Sequence, residues 1–362
     1  MGNIFHIFLL LIPVFVGAAA ANRNPMIALS TQSELRTSTK SASDGNLNYR
    51  PVIGIVSHPG DGANGRLSNA TNVSYIAASY VKFVESGGAR VIPLIYNEPS
   101  DILIQKLNLV NGVLFTGGSS KKGPYFEVVK GIFQNVLEKN DAGDYFPLLA
   151  ICLGFELLTM IITKDNNILE LFNATNQASK LQFVEGASFE GTLFQRFPSE
   201  LLKKLSEDRL AMQHHRYGIS PETFRANADL CSFFRMLTTC ADKDNKVYVS
   251  TVQAKSYPVT AAQWHPEKNA FEWGLSQIPH TEDAIQVTQH VANYFVSEAR
   301  KSLNRPDAQR VRDNLIYNYS PSYSGKAGRG YDEVYIFTQQ SEFFSDCSRQ
   351  SSVQETELSD HL

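Results

Sequence analysis

The chain has 362 residues, 43% hydrophobic and 19% charged, with 33 Lys and Arg against 36 Asp and Glu, a net charge of −3. That is an ordinary globular composition with length for one large domain plus extensions, and it points away from nucleic acid, since no basic run is denser than Lys121-Lys122. With 4 cysteines (Cys152, Cys231, Cys240 and Cys347), stability must come from a core and not from a disulfide framework.

Ile4 to Val16 are almost all apolar and are followed by Gly17-Ala-Ala-Ala-Ala21. This reads as a secretory signal peptide over residues 1–21, although no basic residue precedes Arg23. Pro13 and the short apolar run argue against a membrane span. Residues 22–48 are rich in Ser, Thr, Asn and Arg and read as a flexible lead-in to one large domain over 49–338. Sequons at Asn69, Asn72, Asn173 and Asn318 agree with entry into the secretory pathway.

From Pro51 the pattern alternates. "PVIGIVS" predicts a buried strand, and "VSYIAASYVKFVESGG" an amphipathic helix stopped by Gly87-Gly88. "ARVIPLIY" is a second strand, Ser100 caps a short helix through Leu109, and "GVLFTGG" is a third strand ending in a glycine pair. A helix over about Tyr125 to Glu138 leads to the strand Phe146–Ile151. This rhythm specifies an α/β, three-layer αβα fold with a mostly parallel central sheet. Further on, "KVYVSTVQA" and "YPVTAAQWHPE" read as a hairpin or adjacent strands and "EDAIQVTQHVANYFVSEARKSL" as a long amphipathic helix. "GYDEVYIFTQQ" reads as an edge strand, and residues 339–362 as a disordered tail.

Cys152 stands where the apolar run changes from strand to helical period, within "YFPLLAICLGFELLTMII". On a tight strand-to-helix turn its sulfur would sit over a helix N-terminus, which favours the thiolate; a plain buried cysteine is the competing reading. A nucleophile of this kind needs a base and a partner that orients the base. His265 and Glu267 are two apart around Pro266, so an extended segment would project both to one face. His265 alone reads equally as a structural histidine, and Gly117-Gly118 as a simple tight turn. The only adjacent histidine pair is His214-His215, so no metal or other cofactor is expected.

"CLGFE" at 152–156 and "QWHPEK" at 263–268 resemble the class I glutamine amidotransferase superfamily. With "SYIAASYVKFVESGGARVIPL", "FTGGS" and "YPVTAAQWHPEKNAFEW", they resemble its gamma-glutamyl hydrolase branch from about Pro51 to Phe337, and "NYSPSYSGKAGRGYDEVYIF" is similar to plant members. The resemblance implies the superfamily's flavodoxin-like sheet topology and a cysteine hydrolase that cleaves gamma-glutamyl bonds of folylpoly-gamma-glutamates through a thioester. It implies Cys152 as nucleophile, His265 as base and then acid, and Glu267 as third member of the triad. It also implies Gly118 and Leu153 N–H groups as oxyanion hole, Tyr75, Gly117 and His215 as substrate-binding residues, a homodimer, and a vacuolar, lysosomal or extracellular location. Two positions depart from the superfamily pattern: Ala150 replaces a frequent glycine two before the nucleophile, and Glu156 stands where ammonia-donating members usually carry glutamine. An amidotransferase-type glutaminase and a non-catalytic binding relative are the competing classes. The signal peptide, the sequons and Glu156 argue against the first, and the intact Cys152, His265 and Glu267 against the second.

Overall fold

The computed structural model describes Gly2, residues 47–325 and residues 330–338. The chain divides into two units, Met1–Asp44 and Gly45–Leu362, and the described strands and helices all belong to the second. The predicted signal peptide, most of the lead-in, the tail 339–362 and Cys347 lie outside the described residues.

In chain order the second unit runs β1 (Val52–Val56), β2 (His58–Pro59), β3 (Ser74–Ala77), α1 (Ala78–Ser86), β4 (Arg90–Leu94), α2 (Ser100–Leu107), β5 (Val113–Phe115) and α3 (Pro124–Asp141). Then come β6 (Leu148–Ile151), α4 (Leu153–Thr163), β7 (Glu170–Ser179), β8 (Gln182–Phe183), α5 (Ser199–Glu207), β9 (Ala211–Gly218), α6 (Pro221–Ala226) and α7 (Ala228–Phe233). The unit ends with β10 (Phe234–Ala241), β11 (Val247–Ala254), β12 (Val259–Ala262), α8 (Lys268–Phe271), α9 (Glu282–Ala299), α10 (Ala308–Asn314), β13 (Ser322–Tyr323) and β14 (Glu333–Phe337).

The central sheet has 8 strands in the order β4-β1-β5-β6-β12-β11-β10-β8. From β4 to β12 every pairing is parallel, and β11, β10 and β8 extend the sheet antiparallel. The parallel part has the doubly wound, flavodoxin-like order, whose reversal lies between β1 and β5. Period-2 alternation divides the side chains between two cores. Ile53, Ile55, Leu114, Leu149 and Ile151 pack with α1 and α9, whereas Val52, Val56, Phe115, Leu148 and Ala150 pack with α3 and α4. Both faces are therefore covered, which is why these strands read as continuous apolar runs.

Three elements differ from the sequence reading. The segment read as a helix from Val73 starts with strand β3, because Ser74–Ala77 pairs with β2 and β14 before α1 begins. Ser100 does not cap α2; it is the helix's first residue, Pro99 holds the cap position, and no side chain supplies the cap bond. β14 is not an edge: it lies between β13 and β3 in a 4-stranded sheet of order β13-β14-β3-β2. The pairing of β14 with β3 is a contact of sequence separation too large for any local pattern to signal.

Candidate active site

In a doubly wound sheet the loops at the carboxyl ends of the strands gather at the reversal of strand order. Here those loops deliver His58 after β1, Gly117 and Gly118 after β5, Cys152 after β6 and His265 after β12. Cys152 occupies the cap position of α4 with φ 54 and ψ −104, a strained strand-to-helix elbow for a non-glycine residue. Its N–H donates to the Ala262 carbonyl at 2.8 Å and its carbonyl accepts from Glu156 N–H at 3.1 Å. Those bonds tie the elbow to β12 and to the first turn of α4. The departure at Ala150 is accommodated by Gly154: a Cβ there would lie 3.2 Å from Ala150 Cβ and 2.9 Å from Phe115 Cβ.

His265 Nδ1 and Glu267 Oε1 are 2.7 Å apart, with His265 3% and Glu267 0% exposed. The contact is made across a turn into α8, not along an extended segment, since Glu267 has φ −74 and ψ −22. The turn is held by His265 N–H donating to Met212 O at 2.8 Å and by the Thr288 hydroxyl donating to Pro266 O at 2.6 Å. With Nδ1–H given to Glu267, Nε2 carries the lone pair. Among the described residues it accepts no hydrogen bond.

Gly117 joins cysteine and histidine. A Cβ on it would lie 3.0 Å from His265 Cε1, 3.4 Å from Cys152 Cβ and 2.8 Å from Tyr80 Oη, so all three crowd one point that only glycine leaves open. Gly117 N–H donates to Tyr80 Oη at 2.8 Å. At Gly118 a Cβ would lie 2.2 Å from the His58 ring. Leu153 N–H acts on the Cys152 sulfur in the direction that favours the thiolate.

The electrostatics correct one expectation. Burial pushes the Cys152 thiol well above its ordinary value, and Glu156 and Glu267 add to this; Lys121 and Leu153 N–H act in the opposite direction and lose. The helix N-terminus therefore does not give a resting thiolate, so attack requires proton transfer to a base. Burial also works against ionised Glu267, but the charge and hydrogen bond of His265, with Lys268, bring its carboxyl below the usual range. Glu156, 3% exposed, pairs with Lys121 Nζ at 2.8 Å. Burial outweighs that pairing and raises its carboxyl to about 7.

Beside these groups opens a cleft of about 1120 Å³ lined by His58, Tyr75, Ser119, Asn176, His214 and Tyr331, among others. Cys152 and His265 do not line it; Cys152 is within electrostatic reach of Tyr331 and Tyr80, and His265 of His214. Tyr75 stacks edgewise on His58 at 5.4 Å between ring centres, and burial raises its hydroxyl to about 12. His215 does not line the cleft: its Nδ1 faces Tyr217 O at 2.9 Å, its Nε2 faces Gln213 Oε1 at 3.2 Å, and its ring packs on Tyr248. The neighbouring His214 takes the cleft position.

Three neighbours of the site escaped the sequence reading. His58 Nδ1–H donates to Pro59 O at 2.8 Å while Nε2 accepts Ser119 N–H at 3.0 Å and Ser120 N–H at 3.2 Å, which pins the loop that carries Gly118. Its position at the carboxyl end of the first strand was the available signal. Tyr80 is hidden inside a helical pattern, and Tyr331 arrives from the far end of the chain. Cys152, Cys231 and Cys240 are free thiols. Among the described residues no His, Cys, Asp and Glu group could hold a metal ion, and no helix is long and apolar enough to cross a membrane.

The doubly wound sheet and the comparisons that follow define the class as a cysteine peptidase-type hydrolase. Residues 51–267 match the Peptidase C26 family. Gamma-glutamyl hydrolase 2 of Arabidopsis thaliana is 69% identical over 305 residues, covering 84% of this chain and 88% of the relative. Gamma-glutamyl hydrolase of Glycine max is 59% identical over 297 residues, covering 82% and 87%. A solved glutamine amidotransferase from Thermotoga maritima is 16% identical with a TM-score of 0.39, covering 70% of this chain and 100% of its own. The chain belongs to the Peptidase C26 family and, within it, to the gamma-glutamyl hydrolases of plant type.

Proposed function

We propose that the chain cleaves gamma-glutamyl bonds of folylpoly-gamma-glutamates, with Cys152, His265 and Glu267 as its catalytic residues. The observation that carries the reading is the convergence of Cys152 and His265 on Gly117, with His265 oriented by Glu267 at 2.7 Å. His265 Nε2 takes the thiol proton as Sγ attacks the gamma-carbonyl carbon. The developing oxyanion is held by Leu153 and Gly118 N–H groups. His265 then gives the proton to the departing amide nitrogen, the C–N bond breaks, and a thioester remains. Water, deprotonated by His265, attacks the thioester and restores the thiol. Glu267 stays ionised throughout and stabilises the imidazolium. Tyr75 and Gly117 face the substrate. His215, on the opposite face of its strand from His214, acts through packing.

The reading includes a homodimer and passage through the secretory pathway to a vacuole or the extracellular space. All four sequon asparagines, Asn69, Asn72, Asn173 and Asn318, are exposed, as attachment of a glycan requires. Sedimentation and a glycosidase mobility shift test these two points. The activity is tested with folylpentaglutamate and, separately, free glutamine. Release of glutamate or gamma-glutamyl peptides supports the reading. Ammonia from glutamine without cleavage of the folate would replace it with an amidotransferase.

A further inference from the structure

A second groove of about 740 Å³ adjoins the main cleft. Asn176 lines both, and the loop after α8 runs along both, with Leu275 in the first and Ser276 and Gln277 in the second. Lys180, Arg209 and Lys243 line the second groove and are exposed; Arg66 is the cation of the first.

The carboxylates lining the two grooves are Asp61 and Asp242, and both are satisfied by backbone. Asp61, 2% exposed, accepts N–H bonds from Ala63, Gly65, Leu67 and Ser68 at 2.8 to 3.1 Å. Asp242, 5% exposed, accepts from Asn173, Asp244 and Lys246 at 2.7 to 2.9 Å. The histidines of the first cleft, His58 and His214, are held neutral by burial, both at about 4. The exposed charge along the connected surface is therefore cationic, while the chain as a whole carries −3.

This site deepens the proposed function and rests on it. A poly-gamma-glutamate tail carries one free α-carboxylate per residue and is a flexible polyanion. We propose that the tail leaves the main cleft past Asn176 and lies in the second groove, where Lys180, Arg209 and Lys243 bind its α-carboxylates. The groove then favours long-chain substrates over short ones, and through exposed, salt-screened contacts.

The test compares folyldiglutamate with folylhexaglutamate on the wild type and on a triple variant, Lys180→Gln with Arg209→Gln and Lys243→Gln. Circular dichroism confirms that the variant folds. The variant should lose about tenfold in kcat/KM on the hexaglutamate, the scale of three exposed charge contacts. Diglutamate turnover serves as the internal control. Wild-type preference for the long chain should shrink in high salt, and the variant should show neither the preference nor its salt dependence. A charge-keeping variant, Lys180→Arg with Lys243→Arg, should retain the preference. Equal loss on both substrates, or an unchanged hexaglutamate rate, would overturn the groove while leaving the hydrolase reading intact. A wild type inert towards both folates would overturn that reading and the groove with it.

Discussion

His58 offers the sharpest prediction about the loop that carries Gly118, the proposed oxyanion donor. Replacing it with leucine keeps the bulk beside Gly118 but removes the acceptor of Ser119 and Ser120 N–H. Ser119 is exposed on the cleft and Ser120 is half-buried, so water replaces the lost acceptor only in part and does not hold the loop in place. Losing two protein hydrogen bonds that water can partly replace costs about 0.5–1.5 kcal/mol each, enough for the loop to move and take new partners. Loss of an aligned oxyanion donor lowers kcat by about 10²–10³-fold, and KM should change far less because the donor acts on charge that develops after binding. The pH profile separates this from a general loss of structure. Burial, with the nearby Lys121 charge, lowers the His58 imidazole to about 4 against the opposing pull of the Pro59 carbonyl. Below that value Nε2 gains a proton and turns a donor towards two donors. Wild-type kcat should therefore carry an acidic limb near pH 4 that His58→Leu lacks, and His58→Gln, whose amide oxygen can accept, should fall between the two. Stopped-flow turnover from pH 3 to 7 reads all of this. A folded His58→Leu enzyme with kcat within about threefold of wild type and the same acidic limb would refute the argument.

Glu267→Gln keeps a hydrogen-bond acceptor for His265 Nδ1 but removes the charge that stabilises the imidazolium, so kcat should drop while a measurable remainder persists; indistinguishable kcat values would exclude Glu267 from the triad. Glu156 makes a prediction about stability. Its carboxyl ionises at about 7 in the fold against 4.5 as the ordinary value, so the native state holds the proton longer than the unfolded chain. Its contribution is present below pH 4.5 and is lost as pH rises to 7, about 3 kcal/mol in all. The unfolding free energy of wild type minus that of Glu156→Gln, measured in urea, should fall by that order across this window; a flat difference would sink the assignment.

Much of the fold was legible because both faces of the parallel sheet are covered. β1, β5 and β6 had to be apolar throughout and β4 apolar beyond Arg90, and the helices between them had to be amphipathic. The strand-to-helix elbow at Cys152 announced itself as a change of period. β3 was illegible because its four residues are all buried and continue without a break into α1. The contact of His265 with Glu267 was legible as spacing but not as conformation, because Pro266 fits a turn as well as an extended strand. The thiol's electrostatics could not be read from the helix N-terminus alone, since burial decides them and burial is a property of the whole fold. His214 and His215 are adjacent in sequence and opposite in placement, as alternation along β9 requires. Which of the two faces the cleft depends on the pairing of β9 with β7.

The most direct measurement is turnover of folylpentaglutamate by Cys152→Ala beside wild type, with the folded state of each confirmed by thermal unfolding. The substitution removes a single buried atom and keeps the elbow's backbone bonds, so the variant should fold and bind substrate while releasing no glutamate or gamma-glutamyl peptide. In wild type, acid quench should trap a folate acyl group on Cys152 as a thioester. Residual turnover above a few percent in a folded Cys152→Ala protein, or an acyl group trapped elsewhere, would contradict the assignment of Cys152 as nucleophile.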